Sequence, residues 1–128
     1  MRYVSLKEVL LAHTVSIKRY GGSEGVRDQG LIESALARPQ ARFGDYEAFP
    51  DVFAKAAALL EGLVKNHGFV DGNKRTGIIV TAVFLQKNGF EFKSGHDALL
   101  EFTVAVAEGK YDLEAASLWL KKNTKKVS

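Results

Sequence analysis

The sequence contains no cysteine, so disulfide bonds and thiolate metal sites are excluded and a reducing compartment suits the chain. No stretch approaches the roughly 18 consecutive apolar residues that a membrane-spanning helix needs. Residues 1–7 lack the apolar core of a secretory signal. We therefore expect a cytoplasmic protein that does not cross a membrane.

The excess of positive over negative charge is also small. The formal net charge is +3, which does not demand a nucleic-acid partner. Much of this excess lies in the tail, at Lys121, Lys122, Lys125 and Lys126. A chain of 128 residues fits one domain that buries roughly two-thirds of its unfolded surface. We assign residues 1–128 to a single domain and expect the basic tail, residues 123–128, to fray.

Helix-start signals recur along the chain. Ser and Asp oxygens can accept the unpaired N–H groups of a first helical turn. Predicted starts are capping boxes at residues 5–8 and 94–97, and N-caps at Asp28, Asp51 and Asp112. The first three of these helices, in chain order, should end at residues 21–22, 38–39 and about 66. His13 falls on the apolar face of the first helix, where a hydrogen-bonded structural role is the favoured interpretation.

Residues 78–85 form an apolar run whose pattern alone is ambiguous. β-Branched residues favour a strand, whereas an apolar character on all sides suits a buried central helix. Asn88-Gly89 is a helix-stop signal and Lys87 suits a last turn, so we predict a helix over residues 73–88. A brief extended piece should follow at residues 90–92. The predicted fold is all-α, a compact bundle of five or six helices around a buried central helix.

Chemistry concentrates in residues 67–77, where His67 and Asp71 precede a Gly-Asn turn and the pair Lys74-Arg75 at a helix start. Free backbone N–H groups and cations at a helix start attract anions, so a phosphate-bearing ligand is expected there. Asp71 could then hold a divalent cation and His67 could take a proton. Singly, each residue has a plainer interpretation: a structural histidine, a turn, a solvated charge pair, and Phe69 as a core anchor for the loop.

Together these residues match the pattern H-x-F-x-D/E-G/A-N-x-R, and the chain resembles the Fic/Doc superfamily. Lys74 resembles the Doc branch, the death-on-curing toxins. Fic enzymes have Gly there and a second Arg three residues after the first, where this chain has Ile78. The resemblance extends to residues 19–22, 25–28, 34–40, 84–85 and 88–89. Gly68 and Gly77 replace the family's frequent Pro and Ala, and we expect both to loosen the backbone.

The resemblance implies a toxin that transfers a phosphoryl group from ATP to a protein Ser/Thr hydroxyl, in elongation factor Tu, and arrests translation. His67 would be the general base and Asp71 the Mg²⁺ ligand. The nucleotide and its phosphates would be bound by Gly72, Asn73, Lys74, Arg75 and Arg19. An antitoxin would bind through its carboxyl-terminal helical segment. Residues 40–50, which carry Phe43, Tyr46 and Phe49, either pack over the core or form a flap that holds the target chain.

Two other functions stay open at this point. One is adenylyl transfer, which is the Fic chemistry on the same scaffold. The other is a non-enzymatic module that binds RNA or protein through a basic patch. We rank that module lower because the Asp71 carboxylate would repel a nucleic-acid backbone.

Overall fold

Six α-helices and four short strands occupy residues 1–127, the part of the chain that this computed structural model describes. The helices are α1 (Leu6–Tyr20), α2 (Gln29–Ala37), α3 (Val52–Asn66), α4 (Asn73–Lys87), α5 (His96–Ala107) and α6 (Leu113–Lys122), with a 3₁₀ turn at Arg38–Gln40. The strands are β1 (Arg42–Phe43), β2 (Tyr46–Glu47), β3 (Phe90–Phe92) and β4 (Thr124–Lys126). The predicted helical bundle is confirmed, with two antiparallel strand pairs added to it. Within this part of the chain, no helix is long and apolar enough to cross a bilayer.

The predicted caps start four of the helices. The Ser5 hydroxyl accepts the Glu8 N–H and the Glu8 carboxylate accepts the Ser5 N–H, which closes the capping box of α1. Side chains cap α2, α3 and α6 at Asp28, Asp51 and Asp112. The predicted box at residues 94–97 is wrong, because Gly95 is the N-cap of α5. Ser94 instead donates its hydroxyl to the Asn123 side-chain oxygen at 2.5 Å.

The central helix of the bundle is α3, which packs against α2, α4, α5 and α6. Nine of its fifteen residues are buried, among them the consecutive Ala56, Ala57 and Ala58. The sequence favoured residues 78–85 for this central position, which α3 occupies instead. Those residues do form a helix, but α4 buries seven of its fifteen residues and exposes Lys74 and Gln86 near its ends. The first turn of α4 therefore carries an exposed cation.

Close approach of α3 and α4 depends on Gly77. A Cβ atom at this position would lie 2.8 Å from Cγ1 of Val64 and 3.4 Å from Cδ1 of Leu60. Gly77 is buried and helical, so it tightens the contact between the two helices. The expectation that it loosens the backbone is wrong. This contact fixes the start of α4 against the end of α3, between which the motif loop runs.

The basic tail joins the fold. Strand β4 pairs antiparallel with β3, with Thr124 opposite Phe92 and Lys126 opposite Phe90. The Thr124 side chain is buried, and its hydroxyl donates to the carbonyl of Leu120 at 2.8 Å. The prediction that the tail frays is therefore wrong for residues 123–127. The backbone hydrogen bonds between β3 and β4 do not depend on the charges of the tail lysines. Ser128 lies outside the described residues.

Candidate active site

The motif loop, residues 67–72, joins α3 to α4. His67 ends α3 with φ 51° and ψ 50°, the left-handed conformation, and its side chain is exposed. Among residues 1–127 it is the one non-glycine residue with a positive φ. The helix thus ends by turning the imidazole towards solvent at the edge of the loop. This position leaves the ring accessible to a large substrate.

Phe69 and Asn73 hold the loop in shape. The Phe69 side chain is 3% exposed, and its ring stacks on the His13 ring at 3.8 Å between centroids. The Asn73 side chain donates to the Phe69 carbonyl and accepts the Phe69 N–H, both at 3.0 Å. Both polar ends of this amide are therefore engaged within the loop.

Asp71 presents an exposed carboxylate that is oriented by two backbone donors. Oδ2 accepts the Ser23 N–H at 3.0 Å and Oδ1 accepts the Gly72 N–H at 2.8 Å. These bonds, Ser23 first, hold the pKa of the Asp71 carboxyl below its usual value, and His13 acts in the same direction. His13 also bonds the Asp71 carbonyl through Nε2 at 2.8 Å, in agreement with a structural role for this histidine.

The Asp71 carboxylate could serve as one ligand of a magnesium ion. Within residues 1–127 there is no group of three or more His, Cys, Asp or Glu side chains that could hold a metal by themselves. Mg²⁺ commonly takes one or two carboxylates and completes its shell with water and substrate phosphates. An ionised, exposed and oriented carboxylate suits that arrangement.

The start of α4 is open to an anion. Its N-cap is Gly72, with φ 76° and no side-chain cap bond from the described residues. The first helical hydrogen bond there runs from the Thr76 N–H to the Gly72 carbonyl, so the preceding N–H groups have no partner in the helix. Lys74 is exposed beside them, and the Arg75 guanidinium lies 4.2 Å from the centroid of the Tyr20 ring.

Arg19 stands apart from this cluster. Its guanidinium lies 5.8 Å from the centroid of the Tyr20 ring, the ring that Arg75 also covers. In the described part of the chain, no hydrogen bond or ion pair links Arg19 to residues 67–75. The structure thus places His67, Asp71, Gly72, Lys74 and Arg75 together on one loop and helix start. Arg19 lies outside this group, next to the Tyr20 ring.

An apolar cavity of about 140 Å³ extends from Arg75 along α4. Ile78 and Ala82 form part of its wall, and Tyr20 and His96 border it. Ile78 is 8% exposed. The position where Fic enzymes have a second arginine is therefore an apolar wall in this chain.

Residues 42–47 form an exposed hairpin, in which β1 and β2 pair. Phe43 and Tyr46 are 74% and 80% exposed, so the interpretation that these rings pack over the core is wrong for both. Beneath the hairpin, the Lys55 ammonium donates to the Phe49 carbonyl at 2.5 Å and to the Glu47 carboxylate at 3.0 Å. Lys55 is 2% exposed.

Two residues that support the site were not predicted from the sequence. Lys55 is buried in α3 although lysine is usually exposed, so the sequence offered no signal for its role. Arg27 donates from Nε to the His67 carbonyl at 2.6 Å across 40 residues of sequence, for which no local pattern exists.

The expectation that Gly68 loosens the loop is also wrong. A Cβ atom there would lie 2.4 Å from Cγ1 of Ile32, so Gly68 permits close packing.

Comparison with known proteins defines the class to which this fold and site belong. Residues 3–85 match the model of the Fic/DOC family. The chain is 42% identical over 95 residues to a protein of Mycolicibacterium smegmatis named Toxin Doc, covering 74% of this chain and 71% of that relative. It is 34% identical over 117 residues to the Protein kinase doc of Escherichia phage P1, covering 91% of each. The chain belongs to the Fic/Doc family, and the resemblance to its Doc branch is confirmed.

Proposed function

We propose that the chain is a Doc-type toxin that transfers the γ-phosphoryl group of ATP to a Ser/Thr hydroxyl of a target protein. One observation carries this proposal: the exposed His67 imidazole and the exposed Asp71 carboxylate share the loop that leads into the open, cationic start of α4. The names of the two relatives, a toxin and a protein kinase, support the same conclusion.

His67 acts as the general base in the proposed reaction. The target hydroxyl oxygen bonds to the γ-phosphorus, the bond to the oxygen bridging the β- and γ-phosphates breaks, and ADP leaves. His67 takes the hydroxyl proton, a contribution that is typically about 10²–10⁴-fold. Positioning and charge neutralisation supply most of the remaining acceleration in phosphoryl transfer.

The phosphates bind at the start of α4. The backbone N–H groups of Asn73, Lys74 and Arg75 point out of the first turn, and the two cationic side chains add charge-assisted contacts. Mg²⁺ held by Asp71 and phosphate oxygens would neutralise charge on the transferring group. When it binds phosphate, the Arg75 guanidinium either leaves the Tyr20 ring or remains stacked on it.

The nucleotide orientation separates this reaction from adenylyl transfer. Adenylyl transfer exposes the α-phosphate to the target and draws the β- and γ-phosphates into the deep anion site. Lys74 stands where Fic enzymes have the glycine that permits this approach, and Ile78 offers no charge for a terminal phosphate. A reversed nucleotide, with its γ-phosphate near His67, avoids both obstacles. Phosphoryl transfer is therefore the favoured reaction.

The hairpin of residues 42–47 is the proposed flap for the target chain. Its exposed rings and its unpaired strand edges suit an extended peptide that adds as a further strand. We take elongation factor Tu as the target, so transfer would arrest translation. Mass spectrometry of elongation factor Tu after incubation with the chain, ATP and Mg²⁺ tests this assignment. A single phosphoryl group on a Ser or Thr is expected, and an unmodified factor would contradict the choice of target.

An antitoxin is the second proposed partner. Its carboxyl-terminal segment would fold into an amphipathic helix on binding an apolar groove of the toxin. Expression of the chain alone should arrest growth, and a small co-encoded protein should restore it. Harmless overexpression of the folded wild-type chain would contradict the toxin assignment.

A further inference from the structure

Arg27 lies outside the motif, but its guanidinium contacts the motif loop directly. Nε donates to the His67 carbonyl at 2.6 Å and Nη2 donates to the Asn66 carbonyl at 3.1 Å. Both carbonyls belong to the end of α3, where no further helical N–H is available to them. The planar guanidinium can serve two oxygens at once, which a lysine ammonium does less well.

Backbone contacts hold the same two segments together. The Arg27 N–H donates to the Gly68 carbonyl at 2.8 Å, and Val26 pairs with Phe69 as an antiparallel bridge. The chain around Arg27 therefore runs beside the motif loop like a short added strand. This pairing fixes the point from which the Arg27 side chain reaches back to the end of α3.

His67 needs support of this kind. A non-glycine residue in the left-handed region is uncommon and persists where its surroundings hold it. The imidazole is exposed, so its direction depends on the backbone that carries it. The Arg27 guanidinium binds the carbonyl of that same residue. Arg27 is exposed as well, so its contacts to the two carbonyls, rather than core packing, are the interactions that its removal would abolish.

We infer that Arg27 is a positioning residue for His67: by binding the carbonyls of Asn66 and His67, it fixes the left-handed turn that aims the imidazole. The kinetic consequence of this inference rests on the proposed function, whereas the structural consequence does not. Loss of Arg27 lowers kcat by about 10- to 10²-fold, because small displacements of a catalytic group have effects of this size. KM for ATP stays within about twofold, since the start of α4 is untouched.

The kinetic test compares Arg27→Ala and Arg27→Lys with the wild-type chain. Arg27→Lys should recover part of kcat, because one ammonium can still donate to one carbonyl at a time. Asn88→Ala is the matched control, since the Asn88 side chain also donates to a helix-end carbonyl, that of Phe84 at 2.8 Å. It lies at the opposite end of α4, about 22 Å along the helix axis from the motif. This control should keep kcat.

A double mutant tests whether Arg27 acts through His67. In the His67→Asn background, Arg27→Ala should cause no further loss of transfer, because residues that act as a unit are not additive. A further loss as large as in the wild-type background would overturn the inference.

A structural readout keeps the inference testable without any activity. The chain has three histidines, and the spectrum of His67→Asn assigns the His67 imidazole signals in NMR. Arg27→Ala should shift or broaden these signals and spare those of His96, whereas Asn88→Ala should leave them in place. Unchanged His67 signals in a folded Arg27→Ala variant would refute the positioning role. Normal transfer by His67→Asn would refute the proposed base instead, and the NMR result would still decide the role of Arg27.

Discussion

The side-chain amide of Asn73 forms two hydrogen bonds with the backbone of Phe69, one as donor and one as acceptor, both at 3.0 Å. This pair of bonds closes the motif loop across four residues and joins it to the first turn of α4. We interpret the loop that carries His67 and Asp71 and the helix start proposed to bind the phosphates as one rigid unit. Preorganisation of this kind is what electrostatic catalysis requires.

Asn73→Ala removes both bonds and leaves the Phe69 N–H and carbonyl without their partners in a part-buried place. We expect a loss of about 1–3 kcal/mol in the free energy of unfolding, measured with urea, together with a fall in transfer. Asn123→Ala is the matched control, because the Asn123 side chain donates to the Trp119 carbonyl at 2.8 Å outside the motif. It should lose stability but keep transfer per folded molecule. Equal effects of both variants on transfer would contradict the rigid-unit interpretation.

His67→Asn removes the ring while retaining a residue that tolerates the left-handed conformation. Transfer should fall by about 10²-fold or more, while the fold and the affinity for ATP remain. Transfer rates of the variant and the wild type under one set of conditions, with circular dichroism as a fold control, make the measurement. Near-wild-type transfer by the variant would remove His67 from the mechanism.

Lys55→Met removes the ammonium that holds the base of the hairpin. The carbonyls of Phe49 and Pro39 lose their donor, so we expect about 1–3 kcal/mol less stability. KM for the target should rise while KM for ATP stays the same, because the hairpin loses its fixed position. Lys65→Met is the control on the same helix, since Lys65 is 41% exposed and its contact with Glu61 spans 3.7 Å. A KM for the target unchanged by Lys55→Met would separate this lysine from the flap.

Glu47 makes the hairpin sensitive to acid. Its hydrogen bond and charge interaction with Lys55 hold the pKa of the Glu47 carboxyl below its usual value. A lowered pKa in the folded state stabilises the protein above the unfolded-state value of about 4.3, and this contribution disappears as pH falls through the folded-state pKa. Glu47→Gln should therefore be less stable than wild type at pH 7, and the two should be equally stable at a pH low enough to protonate the Glu47 carboxyl in both the folded and the unfolded state. A stability difference that is constant with pH would show that the ion pair contributes nothing.

Local signals predicted most of the helices. Asp51 and the spacing of apolar residues predicted the start of α3 and its end at Asn66. Asn88-Gly89 favoured a helix over residues 73–88, although the β-branched residues of the apolar run favour a strand. In that segment, tertiary burial overrode local propensity. The motif residues could also be recognised from the sequence, because they lie within one loop and one helical turn.

Long-range partners could not be predicted in the same way. Ser94 bonds Asn123 across 29 residues instead of capping its own helix, and the lysine-rich tail pairs its backbone with β3. Arg27 meets His67 through contacts that the fold alone brings together. Gly68 and Gly77 read as flexible from sequence, since only the structure reveals the side chains that fill the space beside them.

The orientation of the nucleotide is measured most directly with ATP that carries radioactive phosphorus at either the γ- or the α-position. γ-Label should appear on the target and α-label should not, because the Lys74 side chain would obstruct the deep triphosphate pose and Ile78 would offer its γ-phosphate no charge. Lys74→Gly alone should not produce α-label, since Ile78 still leaves the γ-phosphate without an arginine. Incorporation of α-label without γ-label by the wild-type chain would contradict the phosphotransferase assignment and establish adenylyl transfer in its place.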